Sequence, residues 1–443
     1  MSGTVKDAME YIKKNHVKFI RLTFCDLGGT QKNVMLTPDG LPSAFENGVS
    51  FDPSAIRGFS NAAPSDLLLY PDPETLTLLP WLSRQGRTVR LSCDIKKTDG
   101  TPFEGDSRAL LKRLLDRCRR MGFDCLIGAE LEFYLFKTDE NGDPTEVTID
   151  CGGYLDISPQ DRGENIRQAI CLNLEQMGIA LKASHHQRGP GQNAIRLDYA
   201  DPLSCADNIL SAKSLIKDLS AENGLFASFM PKPIPTKNGS GIGLTVKLNK
   251  NGLNLFNRNP GNMSGGERKL SPEGESFISG ILAKIREITL FTNPIANSYE
   301  RFGALEAPKH VSWSDQSRAE LISVPPSNGP EAHMELCSPD PSLNPYLAFA
   351  LLISAGLDGI ESGLPLPPAA KDVPSMDAAP DSELLPRDLC QAVEIAGQSE
   401  FVKTVLGQDA FTRYMSIKSE EASAFRKSQN KREFFREKYF KII

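Results

Sequence analysis

No run of apolar residues in this chain of 443 is long enough to cross a bilayer. Met1-Ser-Gly-Thr-Val-Lys6 lacks the positive-then-apolar layout of a secretory signal, so a cytoplasmic protein without membrane attachment is expected. The nine cysteines are scattered, with no C-x-x-C pair and no regular spacing, which argues against a disulfide framework and against zinc. Positive charge is in deficit: 50 Lys and Arg stand against 56 Asp and Glu, a net charge of −6. With a pI near 5.6, the balance counts against a nucleic-acid partner. Internal repeats and low-complexity tracts are also missing, and the densest loop-like composition is Gly363 to Pro380. At 40% hydrophobic residues, the length suffices for one large core or two domains.

The chain is organised around Cys125-Leu-Ile-Gly-Ala-Glu-Leu-Glu-Phe-Tyr-Leu-Phe136. Side chains alternate across a strand. The odd positions Cys125, Ile127, Ala129, Leu131, Phe133 and Leu135 are apolar, while Glu130, Glu132 and Tyr134 share the other face. Two carboxylates side by side repel unless a cation or solvent balances them, so the strand reads either as a solvated face or as a metal or cation site. Before it, helical spacing over Lys6–Lys14, a hairpin around Asp26-Leu-Gly-Gly29 and strands at 67–70, 76–79 and 89–94 predict a small strand-rich unit. Phe51 to Phe59 reads as a loop and 96–102 as a linker. After it, helices over 106–121, 164–177, 201–219, 271–292 and 342–356 alternate with strands at 181–184, 194–199 and 242–248. An α+β fold is expected, with domains at 1–100 and 101–443 and a sheet lined on one face by polar groups.

Taken together, the motifs resemble the glutamine synthetase family, prokaryotic type. The resemblance rests on Phe24-Cys-Asp-Leu-Gly-Gly29, Phe51-Asp52, Ser65 to Trp81, Ala129-Glu-Leu-Glu-Phe133, Phe229-Met-Pro-Lys-Pro233, Asn238-Gly-Ser-Gly241, Asn293-Pro-Ile-Ala-Asn-Ser-Tyr-Glu-Arg301, Glu306-Ala-Pro308 and Ser338-Pro-Asp-Pro-Ser-Leu-Asn-Pro-Tyr346. They fall in the family's order and span nearly the whole chain. The resemblance implies a β-grasp N-terminal domain, then a domain whose antiparallel sheet forms a funnel-shaped site flanked by helices. It implies two stacked hexameric rings with sites shared between neighbours. It also implies an ATP- and Mg²⁺- or Mn²⁺-dependent joining of glutamate and ammonia through γ-glutamyl phosphate.

Carried over residue by residue, the family's two main metals match Glu130, Glu132 and Glu335. Its other three ligands read Gln187, Ala194 and Gly243, so two carboxylates and an imidazole are gone. An amide or a methyl does not supply the charge a hard cation requires. Arg301 and Arg318 match glutamate- and phosphate-holding positions, but three further arginine positions read His333, Cys337 and Ser323. Those residues do not reproduce a guanidinium's fork to phosphate. Asp52 matches the ammonium-site aspartate, whose nearby serine reads Ala55; Glu306 matches the flap glutamate; Asn238, Gly239, Ser240 and Gly241 match the cofactor-side loop.

The losses sit beside gains. Strand parity aims Arg196, two residues after Ala194, and Lys247, four after Gly243, toward the cavity. At least one of them is expected to reach Glu130, Glu132 or Glu335. His185 and His186 face opposite ways, so at most one points inward, more readily as a hydrogen-bonded residue than as a ligand. Two functions compete. The first is a ring assembly that binds a small molecule or a partner protein without making glutamine, and then no cofactor is expected. The second is an active ligase with ATP and Mg²⁺ or Mn²⁺ and a changed carboxylate or amine. The damage lies at the phosphate end, which any ATP-using variant needs, and favours the first.

Overall fold

The computed structural model describes residues 3–59, 66–257, 263–264, 267–268, 270–304, 307–327, 329–370 and 384–443. Ser65, Glu306 and the expected loop from 371 onward lie outside the described residues. Helix α1 (Val5–Lys14) opens with a capping box in which the Thr4 side chain accepts from the Asp7 amide and Asp7 answers the Thr4 amide. Strands β1 (Phe19–Cys25) and β2 (Gln31–Leu36) form the predicted hairpin. Next come α2 (Leu41–Asn47), β3 (Val49–Phe51), β4 (Leu67–Pro71), β5 (Thr77–Leu79) and β6 (Thr88–Lys97). The sheet order is β2-β1-β6-β4-β3, with β1 and β6 parallel and β5 on β6. This is the β-grasp arrangement expected. Two local expectations shift. Phe51 to Phe59 holds a single 3-10 turn, Pro53–Ala55, because the Asp52 carboxylate caps the Ser54 amide at 2.8 Å. The 96–102 linker is taken up by the end of β6 and a tight turn at Gly100, whose φ is +83°.

The remainder is built on β7 (Phe123–Thr138), reached through α3 (Ser107–Arg120), whose Asp106 cap accepts from the Arg108 and Ala109 amides. After β7 follow β8 (Pro144–Thr148), α4 (Glu164–Gln176), β9 (Leu181–His186), β10 (Gln192–Ala200), α5 (Pro202–Glu222), β11 (Leu225–Ser228), β12 (Ile242–Lys250) and α6 (Pro272–Thr292). Three very short strands, β13 (Trp313–Ser314), β14 (Ile322–Ser323) and β15 (Met334–Leu336), precede α7 (Pro345–Glu361). The order β13-β14-β15-β12-β7-β10-β9 makes one sheet, antiparallel except for β13 with β14. The odd residues of β7 are buried as predicted: Leu131, Phe133 and Leu135 are fully shielded. Helices α6 and α7 meet backbone to backbone at Gly280 and Gly359, where a Cβ on Gly280 would lie 2.1 Å from the Ala355 carbonyl oxygen. Helices α8 (Leu389–Gly397), α9 (Glu400–Leu406), α10 (Gln408–Lys427) and α11 (Lys431–Phe435) close the chain.

The two parts are joined by a buried arginine. Arg108 reaches Asp207 of α5 at 3.1 Å and Asp72 and Asp94 of the N-terminal part at 3.1 and 2.9 Å. A guanidinium's several donors suit it to hold carboxylates from three elements.

Candidate functional site

Sheet register brings the site together in rows. Along one row lie Ala183 of β9, Arg196 of β10, Glu130 of β7 and Gly243 of β12. The next holds His185, Ala194 and Glu132. A third joins Gly128, Thr245 of β12, Glu335 of β15 and Ser323 of β14. Directly opposed residues on one sheet face have Cβ atoms about 5 Å apart. Of these, Arg196, Glu130, Gly243, His185, Glu132 and Glu335, with Arg301, Arg318, Arg188, Tyr154 and Cys337, line a cavity of about 170 Å³.

Two of the three carboxylates have protein partners. Arg196 donates through Nε to Glu130 Oε2 at 2.5 Å, and its Nη2 reaches the same oxygen. The expected cation therefore reaches a cavity carboxylate, with its own side chain 41% exposed. Glu132 accepts from the Gln187 amide at 2.5 Å and from the Gly241 backbone N–H at 2.6 Å. Burial pushes the Glu132 carboxyl up to about 7, with Glu130 adding to the rise and Gly241, Arg301 and Gln187 opposing it. No protein hydrogen bond to the Glu335 carboxylate is found among the described residues. Gly243 leaves the space beside it open, since a Cβ there would lie 3.6 Å from Glu335 Oε1.

The Asn238–Gly241 loop serves Arg301. That side chain is 5% exposed and donates to the Ser338 and Pro339 carbonyls at 3.0 and 3.3 Å, while its Nε has no partner. A Cβ on Gly239 would come 2.6 Å from Arg301 Cγ, and one on Gly241 2.6 Å from its Nη2. Only glycine lets the loop close over the arginine. Ser240, within the loop, is fully buried. Tyr134, whose parity predicts the polar face, is fully buried because its hydroxyl donates to the Asn238 carbonyl at 2.6 Å.

The other expected residues divide. Arg318 stands exposed at the cavity rim. His185 lines the cavity with its ring edge-on to Tyr154 at 5.6 Å. His186 turns away, fully buried, its Nε2 3.1 Å from Asp150 and its Nδ1 2.6 Å from the Gln187 carbonyl. Asp52, next to exposed Ala55, is not among the cavity's lining within one chain. Lys247 corrects the parity argument. Its ammonium sits 3.8 Å over the Tyr199 ring and 3.9 Å from Glu331 at the sheet rim, away from the three carboxylates. The aromatic face and a nearer acid capture it first. His333 joins that rim cluster, its ring 6.4 Å from Tyr199. Arg188 and Tyr154 also line the cavity and were not predicted. Arg188 lies in the glycine-rich segment between Gln187 and Ala194, which drew attention only for its lost ligands.

The donor set does not fit the two family metals. Glu130 is occupied by a guanidinium, Glu132 by an amide and a backbone N–H, and Ala194 and Gly243 offer no ligand atom. One open carboxylate, Glu335, is too little for a hard divalent ion, which takes six or more oxygens.

Family models match both parts: the glutamine synthetase β-grasp domain over residues 16–98 and the glutamine synthetase catalytic domain over 104–437. The chain is 42% identical over 432 residues to a glutamine synthetase of Clostridium saccharobutylicum, covering 96% of each. It is 41% identical over 424 residues to one of Methanosarcina mazei, covering 94% of each. Among solved structures, a GmaS/ADP complex superposes with a TM-score of 0.84 at 27% identity, over 97% of this chain and 98% of that one. A Plasmodium falciparum glutamine synthetase does so with the same score at 25% identity, over 98% of each. With its β-grasp sheet, its paired-glutamate strand and these full-length likenesses, this chain belongs to the glutamine synthetase family.

Proposed function

We propose that this glutamine synthetase-like protein no longer forms glutamine and uses its cavity to bind a small ligand without metal or ATP. The observation that carries the reading is the Arg196–Glu130 ion pair, a fixed cation where the family's pattern calls for an ion. The Gln187 amide and Gly241 N–H on Glu132 support it. Arg301 and Arg318 on one side and Glu335 on the other suit a ligand carrying both signs of charge, such as an amino acid. In this reading the protein is cytoplasmic, assembles as the family's two stacked hexameric rings, and places Asp52 at a neighbour's cavity.

The test is phosphate release with glutamate, ammonium and ATP at saturating Mg²⁺ or Mn²⁺. The expected rate is indistinguishable from background; turnover within the ~1–10³ s⁻¹ usual for enzymes would overturn the reading. A second reading, an active carboxylate–amine ligase with a changed substrate, draws on the 40–42% identity to proteins named glutamine synthetase and on the kept Arg301, Arg318 and Glu335. Replacing ammonium by methylamine and other small amines in the same assay separates the two.

A further inference from the structure

A second and larger cavity, of about 370 Å³, lies between the β1–β2 hairpin and the C-terminal part, walled by α5, α10 and the last residues of the chain. Its charge is lopsided: Arg21, Arg57, Lys213, Lys217, Lys418 and Lys438 face Asp26 and Glu421. Two of the cations are answered within the cavity by Glu421, which lies 3.1 Å from Lys418 and 3.7 Å from Arg57. Asp26 lies 3.9 Å from Lys32.

Three of the other lining cations, Arg21, Lys213 and Lys217, have no acidic partner among the described residues. Lys213 donates to the Pro341 carbonyl at 2.6 Å and Lys217 to the Ile442 carbonyl at 2.9 Å. These residues stand four apart on α5, so their stems share one helix face. Arg21 projects from β1 with its buried Nε lacking any acceptor. Its register partner on β6, Arg90, is 5% exposed and leaves Nε and Nη1 unpartnered as well. Two neutral carbonyls and the Phe229 ring, 5.4 Å from Lys213 and 6.0 Å from Lys217, bring no negative charge to balance such a cluster. The strain shows in the amines: burial pulls Lys213 down to about 7, with Lys217 adding like-charge repulsion, and burial pulls Lys217 down to about 8.

We infer that this cavity binds a small polyanion, bearing phosphate or several carboxylates, held between Arg21 of the hairpin and Lys213 and Lys217 of α5. The anion would supply the acceptors these groups lack and would tie the N-terminal sheet to the helix that packs behind β7. The site shares no lining residue with the carboxylate cavity, so it stands whether or not that cavity is catalytic.

The experiment is isothermal titration calorimetry of the full chain, without divalent metal, against pyrophosphate and, separately, citrate. One saturable site per chain is expected for at least one probe, and the tighter of the two assigns phosphate or carboxylate. Lys213→Met and Lys217→Met are each expected to weaken it about tenfold or more, and Arg318→Met in the other cavity to leave it unchanged. Lys217→Met serves if Lys213→Met fails to fold, with circular dichroism as the check. No saturation by either probe up to about 10 mM, a binding too weak to matter at ordinary concentrations, overturns the inference. So does binding lost in Arg318→Met but kept in both lysine variants.

Discussion

At the scale of single residues, strand parity reached some positions and misplaced others. Arg196 was legible because it lies on β10 directly opposite Glu130, so parity and register act together. Lys247 obeys the same parity, yet Tyr199 and Glu331 hold it at the rim, and neither is adjacent in sequence. His186 shows the same limit: its partner Asp150 is 36 residues away, and no local pattern announces it. That pair yields a pH-dependent prediction. Burial alone would raise Asp150, but hydrogen bonds from His186 and from the Arg162 and Gly191 amides outweigh it and bring the carboxyl down to about 2. A folded value below the unfolded 3.8 stabilises the protein above pH ~4 and is lost as pH falls toward 2. His186 runs the other way. Burial lowers it, Asp150 and the Gln187 carbonyl raise it further, and its net rise stabilises below 6.5 and fades as pH climbs past that value. Asp150→Asn is therefore expected to cost about 2 kcal/mol between pH ~4 and ~6.5, with a smaller cost at pH 3. Urea denaturation of both proteins at pH 5.5 and 3 reads the difference; an equal cost at both pH values would contradict it.

At the scale of elements, the long periodic segments were readable and the short ones were not. β7, α3, α5 and α6 carry enough turns or alternations to declare themselves. β13, β14 and β15 have two or three residues each, too few to show a period, and they exist because the sheet edge at β12 offers partners. Yet β15 delivers Glu335, so a third of the carboxylate set rests on an element without a sequence signature. The Asn238–Gly241 loop was legible as a motif but not in its role, because only the fold shows Arg301 threaded beneath it. Gly239→Ala sets the new methyl against Arg301 Cγ at 2.6 Å and the Pro231 carbonyl oxygen at 2.7 Å. The backbone oxygen has little room to yield, so a loss of about 1–3 kcal/mol is expected, typical of overpacking a closed site. Thermal denaturation checks it. A variant as stable as the parent would show that the loop does not need glycine there.

At the scale of the whole molecule, the scaffold and the chemistry have separable fates. The buried hub around Arg108, the cap from Asn344 to α7 and the helix pair at Gly280 and Gly359 share no residue with the carboxylate cavity. Multi-angle light scattering at low micromolar concentration is expected to find a large ring oligomer, and a monomer would contradict the assembly part of the account. The claim central to the proposed reading is narrower: protein groups, and not divalent ions, hold Glu130 and Glu132 in this cavity. Titration with Mn²⁺ followed by electron paramagnetic resonance, with ATP present, addresses it most directly. The account predicts no cavity-bound Mn²⁺ in the natural chain. It predicts binding once Gln187→Glu, Ala194→Glu and Gly243→His are combined with Arg196→Met, but none while Arg196 remains. Tight Mn²⁺ binding by the natural chain, abolished by Glu335→Gln, would contradict it.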